Sequence, residues 1–145
     1  MAQDDVVISP TGWVAEQARL YAESGGTKGA TIRGVPCLLL DYRGRRTGQW
    51  RRTVLIYGTH GDDHLIVASN GGAAHHPKWY LNLLDEPEVE LQVGPDRFRA
   101  RAETLTREEK AEVWPGLVEL FAPYATYQEK TSRDIPVLRL RRLTG

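Results

Sequence analysis

Five arginines fall within the segment RGRRTGQWRRT, although the chain as a whole carries 19 basic and 19 acidic side chains. Arg45, Arg46 and Arg51 offer guanidinium groups, which bind phosphate or carboxylate through short and often bidentate charge-assisted hydrogen bonds. Thr47 adds a hydroxyl, and Gly48 permits a tight turn that exposes backbone amides. The combination predicts a site for an anionic ligand.

The same segment matches neither of the common phosphate-binding motifs. It lacks the P-loop pattern G-x-x-x-x-G-K-[ST] and the dinucleotide pattern G-x-G-x-x-G. A solvated hairpin tip remains the alternative explanation for these arginines. Nucleic-acid binding is disfavoured, because the remaining charge is balanced and no basic stripe with interleaved aromatic residues occurs.

A second unusual segment is VASNGGAAHHPKWYLNL, in which the end of a strand runs into two consecutive glycines. Gly71 and Gly72 would let the backbone approach a planar ligand and direct N–H groups at its carbonyls. His75 and His76 are adjacent in a loop with neither a cysteine nor an obvious carboxylate partner, which makes them poor zinc ligands. We therefore expect no metal site.

Hydrolytic and thiol chemistry find no support in the sequence. No G-x-S-x-G elbow occurs, and the lone cysteine, Cys37, lies in an apolar run that favours a buried, inert thiol. Any redox chemistry would have to come from a bound cofactor. The apolar run is too short to span a membrane and the N-terminus is acidic, so we expect a cytoplasmic protein.

The elements that must position these segments follow from hydrophobic periodicity and turn residues. VPCLLLDY predicts a buried strand just before the arginines, and RRTVLIYG and HLIVASN predict strands that THGDD joins as a hairpin. TGWVAEQARLYAESGG predicts a helix after Ser9-Pro10, and HHPKWYLNLLDEP a short one. Thr106 and Glu109 form a capping-box pattern that begins a later helix, which Pro115 should kink or divide.

EVELQVGPDRFRARAE is the clearest hairpin, and pairing Val93 with Phe98 would give it one apolar and one charged face. With IPVLRLRRL as the last strand, the count is about six mostly antiparallel strands with flanking helices, an α+β fold built on a small β-barrel. At 145 residues we expect a single domain, 1–145, in which 1–30 form an N-terminal helix and loop.

Three segments resemble one known family. PCLLLDYRGRRTGQWRRTVLIY, VASNGGAAHHPKWYLNLLDEPEVELQVG and YATYQEKTSRDIPVLRL are similar, in order and spacing, to the deazaflavin-dependent nitroreductases of actinobacteria. Members are split β-barrel reductases that use coenzyme F420, an 8-hydroxy-5-deazaflavin with a phosphodiester and a glutamate tail. The resemblance runs from about Pro36 to Leu140, and Trp50 stands where relatives commonly have proline.

The resemblance implies a set of site residues. The phosphate and tail would be held by Arg45, Arg46, Thr47, Gly48 and Arg51, and the coenzyme would run along Arg52, Thr53, Val54, Leu55 and Ile56. The ring and groove would be bordered by Val67, Ala68, Ser69, Asn70, Lys78, Trp79, Tyr80 and Asn82. Tyr124 and Tyr127 would lie above the ring and, with Ser69, form the implied catalytic set.

The implied activity is hydride transfer from reduced F420 to a small electrophile such as a quinone, an activated enone or a nitroaromatic. A non-catalytic deazaflavin carrier and a barrel that binds flavin mononucleotide remain as alternatives. The expected partner is a small-molecule electron acceptor and not a nucleic acid. A peripheral membrane contact or a homodimer through the N-terminal region stays open.

Overall fold

The computed structural model describes residues 7–8 and 12–143 of the chain. The strands are β1 (Val7–Ile8), β2 (Thr31–Ile32), β3 (Val35–Arg43), β4 (Trp50–Ile56), β5 (Gly58–His60), β6 (Asp63–Val67), β7 (Glu88–Val93), β8 (Asp96–Thr104) and β9 (Val137–Arg142). The helices are α1 (Gly12–Glu23), α2 (Lys78–Asp85), α3 (Arg107–Leu120) and α4 (Pro123–Lys130), and a short 3-10 turn covers Asn70–Gly72.

The strands pair in the order β1-β4-β3-β7-β8-β9-β6-β5, with β2 added beside β3. Apart from β1 with β4, every pairing in the described chain is antiparallel. β4 and β6 lie far apart in this order yet approach each other, so the sheet curls into a half-barrel. The predicted α+β class is confirmed, and the six strands of five or more residues are the six predicted ones.

β3 is buried on both faces, which explains its unbroken apolar sequence. Side chains alternate across a strand, so Leu38 and Leu40 enter the core inside the curled sheet. Cys37 and Leu39 point the other way and pack with Tyr21 of α1. The predicted buried strand and buried thiol are both confirmed, and burial raises the pKa of Cys37 to about 11.

The β7–β8 hairpin corrects the predicted register by two residues. Val93 pairs with Asp96 and Leu91 with Phe98, so a two-residue turn that starts at Gly94 replaces the expected four-residue loop. Gly94 has φ +59°, a conformation that suits the first position of a tight hairpin turn. Because side chains alternate with a period of two, the shift leaves the apolar face buried as predicted.

The hairpin expected at THGDD also differs. The chain bends at Tyr57, so the strand that pairs with β6 is the short β5, while β4 stays paired with β3 along its whole length. The turn of this hairpin contains Gly61, whose φ is +62°. The arginine segment nevertheless connects two consecutive paired strands, as predicted.

The helix that follows Thr106 begins with the predicted capping box. The Thr106 hydroxyl accepts a hydrogen bond of 3.1 Å from the Glu109 amide, and the Glu109 carboxylate accepts one of 2.9 Å from the Thr106 amide. The helix continues through Pro115 as one element, so of the two predicted effects, a kink or a division, the division does not occur. The predicted helix start at Ser9-Pro10 lies outside the described residues.

Candidate active site

A cleft of about 590 Å³ opens where β4, the end of β6 and α4 meet. Residues predicted for coenzyme binding or catalysis form much of its wall: Val54, Leu55, Ile56, Val67, Ser69, Tyr124 and Tyr127. These side chains come from segments that are far apart in the sequence, and the curl of the sheet brings them together. Seven of the residues implied by the resemblance therefore line a single cavity of the fold.

The turn after β6 forms the floor of the cleft beside α4. Asn70, Gly71 and Gly72 all have positive φ, at +47°, +62° and +81°. A Cβ on Gly72 would lie 2.9 Å from the backbone oxygen of Tyr127, whereas one on Gly71 would meet nothing within 4 Å. Gly72 therefore makes a close backbone approach, and it makes it to α4. Gly71 instead lines the cleft.

Arg133 fixes this turn, and sequence reasoning assigned it no role. Its guanidinium donates to the carbonyl oxygens of Ser69 at 2.7 Å, Ala73 at 2.8 Å and Ala68 at 3.2 Å. It also lies 3.0 Å from Nδ1 of His76. The sequence did contain a signal for Arg133, because it is the basic residue of the RDIPV segment, one of the motifs that carry the resemblance.

The environment of Tyr124 keeps its hydroxyl protonated. Burial raises the pKa of Tyr124 well above that of an exposed tyrosine, and the neighbouring Tyr127 raises it further. The ring packs edge-on against Phe121 at 5.0 Å. The Tyr124 hydroxyl makes no hydrogen bond within the described residues, and Tyr124 lines the cleft. Tyr124 can donate a hydrogen bond to a ligand but does not act as a base.

The arginine loop between β3 and β4 is a tight, exposed turn. The Gly44 amide donates to the Gln49 carbonyl and the Gly48 amide to the Gly44 carbonyl, both at 2.8 Å. Thr47 accepts from the Gln49 amide at 3.2 Å. The side chain of Asn82 accepts from the Arg45 amide at 2.7 Å, which ties the loop to α2. The predicted ligand Asn82 thus positions the loop.

Three of the arginines are free to bind an anion, and two are engaged. Within residues 12–143, the guanidinium groups of Arg45, Arg46 and Arg51 form no ion pair, and Arg45 and Arg46 are exposed. Arg52 instead makes a bidentate pair with the buried Asp41, at 2.7 and 2.9 Å. This pairing engages the Arg52 guanidinium within the protein.

The fifth arginine accounts for Trp50. The Arg43 guanidinium lies 5.6 Å from the centre of the Trp50 ring and donates to the Gly48 carbonyl at 3.3 Å. Stacking of this kind stabilises both side chains when they are partly exposed. Through its contact with Arg43, Trp50 therefore stabilises the base of the loop.

The remaining predicted ligands lie outside the cleft wall. Tyr80 is buried in the core, where its hydroxyl pairs with Thr104 at 3.2 Å, and Trp79 packs edge-on against it. Ala68 is fully buried, with its carbonyl bonded to Arg133. Lys78 is exposed at the start of α2, which also carries Asn82.

No metal centre is found in the part of the chain that the structure describes, since no three His, Cys, Asp or Glu side chains there are placed to hold an ion. His76 faces the Arg133 guanidinium, and burial together with that charge lowers the pKa of its imidazole. No helix among the described residues is long and apolar enough to cross a membrane.

β4 connects the arginine loop to the cleft. Arg51 lies near its beginning and Ile56 at its end, so about 17 Å of extended chain separates them. One elongated ligand with a flat head and an anionic tail could lie along this strand.

Comparison with known proteins agrees with this geometry. The family model described as F420H(2)-dependent quinone reductase matches residues 13–141. An F420H(2)-dependent quinone reductase of Mycobacterium tuberculosis is 42% identical over 127 residues, which cover 85% of each chain. A second protein of that organism, named for the same activity, is 39% identical over 74% of this chain and 90% of its own.

Solved structures give the same result. A structure of an F420-H2 dependent reductase, FDR-A, is 36% identical, with a TM-score of 0.68 over 73% of this chain and 94% of its own. A structure described as a domain-swapped dimer is also 36% identical, with a TM-score of 0.71 over 92% of this chain and all of that one. At the level of the family, the predicted coenzyme F420 and the predicted oxidoreductase class are confirmed. The chain belongs to the F420H(2)-dependent quinone reductase family.

Proposed function

We propose that this protein oxidises reduced F420 and passes the hydride to a small quinone-type acceptor. The observation that carries the proposal is the continuous path along β4, from three unpaired arginines at one end to an aromatic cleft at the other. F420 has a matching form, with a flat ring at one end and phosphate and glutamate groups at the other.

The residues present fit this coenzyme. Arg45, Arg46 and Arg51 would hold the phosphate and glutamate carboxylates, assisted by the Thr47 hydroxyl, which lies in the same loop. Charge-assisted hydrogen bonds from guanidinium groups are strongest where no internal carboxylate competes for them.

The cleft would hold the ring. Val54, Leu55 and Ile56 would pack against its face, and the Ser69 hydroxyl, which makes no capping hydrogen bond in the turn, is available to its polar edge. When bound, the reduced coenzyme supplies the hydride. The protein's contribution is to orient the two reactants and to exclude water from between them.

Tyr124 and Tyr127 would face the acceptor. The protonated Tyr124 hydroxyl can donate a hydrogen bond to an acceptor carbonyl, and both rings shield the cleft from solvent. Nitroaromatics and activated enones present similar electrophilic groups, so we extend the proposal to them as secondary acceptors. The approach of β4 to β6 supports a split β-barrel in one domain.

The test is an assay with purified protein, reduced F420 and menadione, in which the absorbance of oxidised deazaflavin is followed. Recovery of that band faster than in a protein-free control is the expected result. Binding of F420 without turnover on any quinone, enone or nitroaromatic would instead indicate a carrier. Tighter binding of flavin mononucleotide than of F420 would indicate a flavin-binding barrel.

A further inference from the structure

Arg33 is the charged residue in the wall of the cleft. The other described residues that line the cavity are neutral, and several are aromatic, including Trp13, Phe121 and Tyr124. Arg33 belongs to the wall formed by α1 and the β2–β3 hairpin, which faces the predicted coenzyme residues of β4 and β6. The predicted site did not include it.

The backbone of Arg33 adopts a conformation that arginine does not favour. It occupies the two-residue turn of the β2–β3 hairpin with φ +51°, followed by Gly34 at φ +79°. A turn with two positive φ angles normally takes asparagine, aspartate or glycine first, and a larger residue there costs about 1 kcal/mol or more. Residues held in such conformations cluster at binding sites.

The hairpin that carries Arg33 is fixed in place from α1. The Gln17 side chain donates to the carbonyl oxygens of Gly29 at 2.7 Å and Thr31 at 2.6 Å. The Cys37 amide donates to the Ala30 carbonyl at 2.9 Å. These bonds hold both sides of the hairpin, so the position of Arg33 is determined by the fold.

The Arg33 guanidinium faces the aromatic side of the cleft. It lies 5.9 Å from the centre of the Phe121 ring, and Phe121 in turn packs against Tyr124 at 5.0 Å. Arg33 is exposed and forms no ion pair within residues 12–143. An uncompensated cation beside a cluster of aromatic rings has the chemistry to bind a flat aromatic molecule that carries an anionic oxygen.

We propose that Arg33 recognises the acceptor, and that the protein prefers flat aromatic acceptors bearing an oxyanion or an acidic substituent. This inference rests on the proposed reductase function. A quinone that accepts a hydride becomes a hydroquinone monoanion, and one proton from solvent completes the hydroquinone. Arg33 would stabilise the negative oxygen of that anion and any acidic group already on the ring.

The test uses two redox-inert probes of the same shape, 2-naphthalenesulfonate and its neutral sulfonamide. Binding is measured by calorimetry with saturating oxidised F420 present, so that the arginine loop is occupied. We expect the sulfonate to bind the wild type about fivefold more tightly than the sulfonamide, a difference of about 1 kcal/mol. Arg33→Asn should abolish the difference, and Arg33→Lys should retain most of it.

The variants separate charge from folding. Asparagine tolerates positive φ, so Arg33→Asn should keep the hairpin and the melting temperature of the wild type. Arg101→Gln removes the same charge from the exposed face of β8 and should leave the sulfonate preference unchanged. The affinity for F420 should be the same in Arg33→Asn and in the wild type.

Two outcomes of the binding experiment would overturn the proposal. One is a sulfonate preference that survives in Arg33→Asn, and the other is a loss of F420 affinity in that variant, which would place Arg33 in the coenzyme site. Kinetics give an independent readout: the ratio of kcat/KM for 1,2-naphthoquinone-4-sulfonate over 1,2-naphthoquinone should fall toward one in Arg33→Asn. Turnover with menadione but an unchanged ratio would contradict this inference alone, while no turnover with any quinone would contradict the proposed function.

Discussion

The five arginines between residues 43 and 52 occupy three different environments. Arg45, Arg46 and Arg51 have no carboxylate partner within residues 12–143, whereas Arg52 is paired with the buried Asp41. Arg43 stacks on Trp50. At the residue scale, an arginine is therefore either available for the proposed ligand binding or engaged in stabilising the fold, according to its neighbours, and each role predicts a different phenotype.

The free arginines should control coenzyme affinity. Replacing Arg45 or Arg51 by alanine removes a charge-assisted contact to the tail of F420, and we expect the dissociation constant to rise about fivefold to tenfold for each change. Raising the salt concentration should weaken F420 binding by the wild type more than by either variant, because salt screens the charge–charge contact that the variants lack. Fluorescence titration with F420 measures both effects, and unchanged affinity in both variants would contradict the assignment.

Arg52 should instead control stability. Its side chain is 12% exposed and that of Asp41 is 3% exposed, so Arg52→Ala leaves a buried carboxylate whose other ion-pair partner among the described residues is Arg97, at 3.7 Å. Breaking such a pair costs about 3 kcal/mol, which lowers the melting temperature by roughly 10 °C. Arg99→Ala, which breaks the exposed pair with Glu88, is the control and should cost under about 1 kcal/mol. Similar losses for the two variants would argue against this assignment.

Tyr124 should affect turnover and not coenzyme binding. Tyr124→Phe keeps the ring that packs on Phe121 but removes the hydroxyl donor, so we expect kcat to fall about tenfold with unchanged F420 affinity. Because burial raises the pKa of Tyr124, the hydroxyl stays protonated, and the wild-type rate should show no decline from this group between about pH 6 and 9. Equal turnover by the variant would show that the Tyr124 hydroxyl has no catalytic role and that the side chain only lines the cleft.

At the scale of elements, the cleft depends on one turn held between two partners. The segment after β6 is bonded to the Arg133 guanidinium on one side and packs against the backbone of Tyr127 on the other. The loop before β4 is likewise held by Asn82 of α2. In both cases a polar side chain from a distant element satisfies backbone groups that a loop would otherwise expose.

Two glycines of that turn should respond differently to substitution. Both have positive φ, so alanine strains either by about 1 kcal/mol. A Cβ on Gly72 also meets the Tyr127 backbone at 2.9 Å, so Gly72→Ala must displace the turn from α4 and should cost about 2 kcal/mol more. Urea denaturation of Gly72→Ala and Gly71→Ala measures the difference, and equal free energies of unfolding would show that the close approach is unimportant.

Local patterns predicted the elements better than their pairing. The buried strand β3 and the capping box at Thr106 were predictable because their signals lie within a few residues. The β7–β8 register was wrong by two residues, since that shift conserves the faces and only the turn at Gly94 decides it. The RDIPV segment marks Arg133, but its contacts could not be predicted, because its partners lie some sixty residues away in the chain.

For the whole molecule, the curl of the sheet creates both the core and the site. The two ends of the sheet approach where β4 meets β6, and the side chains enclosed form the core cluster that includes Leu40, Ile66 and Leu140. His64 lies at the edge of this core, between Tyr57 at 5.3 Å and Phe98 at 5.7 Å. An imidazole in that position couples the stability of the whole fold to pH.

Stability should fall as the pH drops below neutral. Burial lowers the pKa of His64, and nearby Arg142 lowers it further, although Asp63 and Asp96 oppose this. The folded state therefore favours the neutral ring, while the unfolded chain takes up a proton near pH 6.5. The free energy of unfolding should be greatest above about pH 6.5, decrease as the pH falls through the folded-state pKa, and then level off.

Urea denaturation at pH 7.5, 6.5 and 5.5 measures this slope. His64→Gln should flatten it, because the variant has no proton to take up at this position in either state. Some slope should remain, since burial and Arg133 also lower the pKa of His76, whose protonation would repel the guanidinium that holds the turn after β6. His60→Gln, at the exposed end of β5, is the matched control. If the control flattens the slope as much as His64→Gln does, the buried ring is not its source.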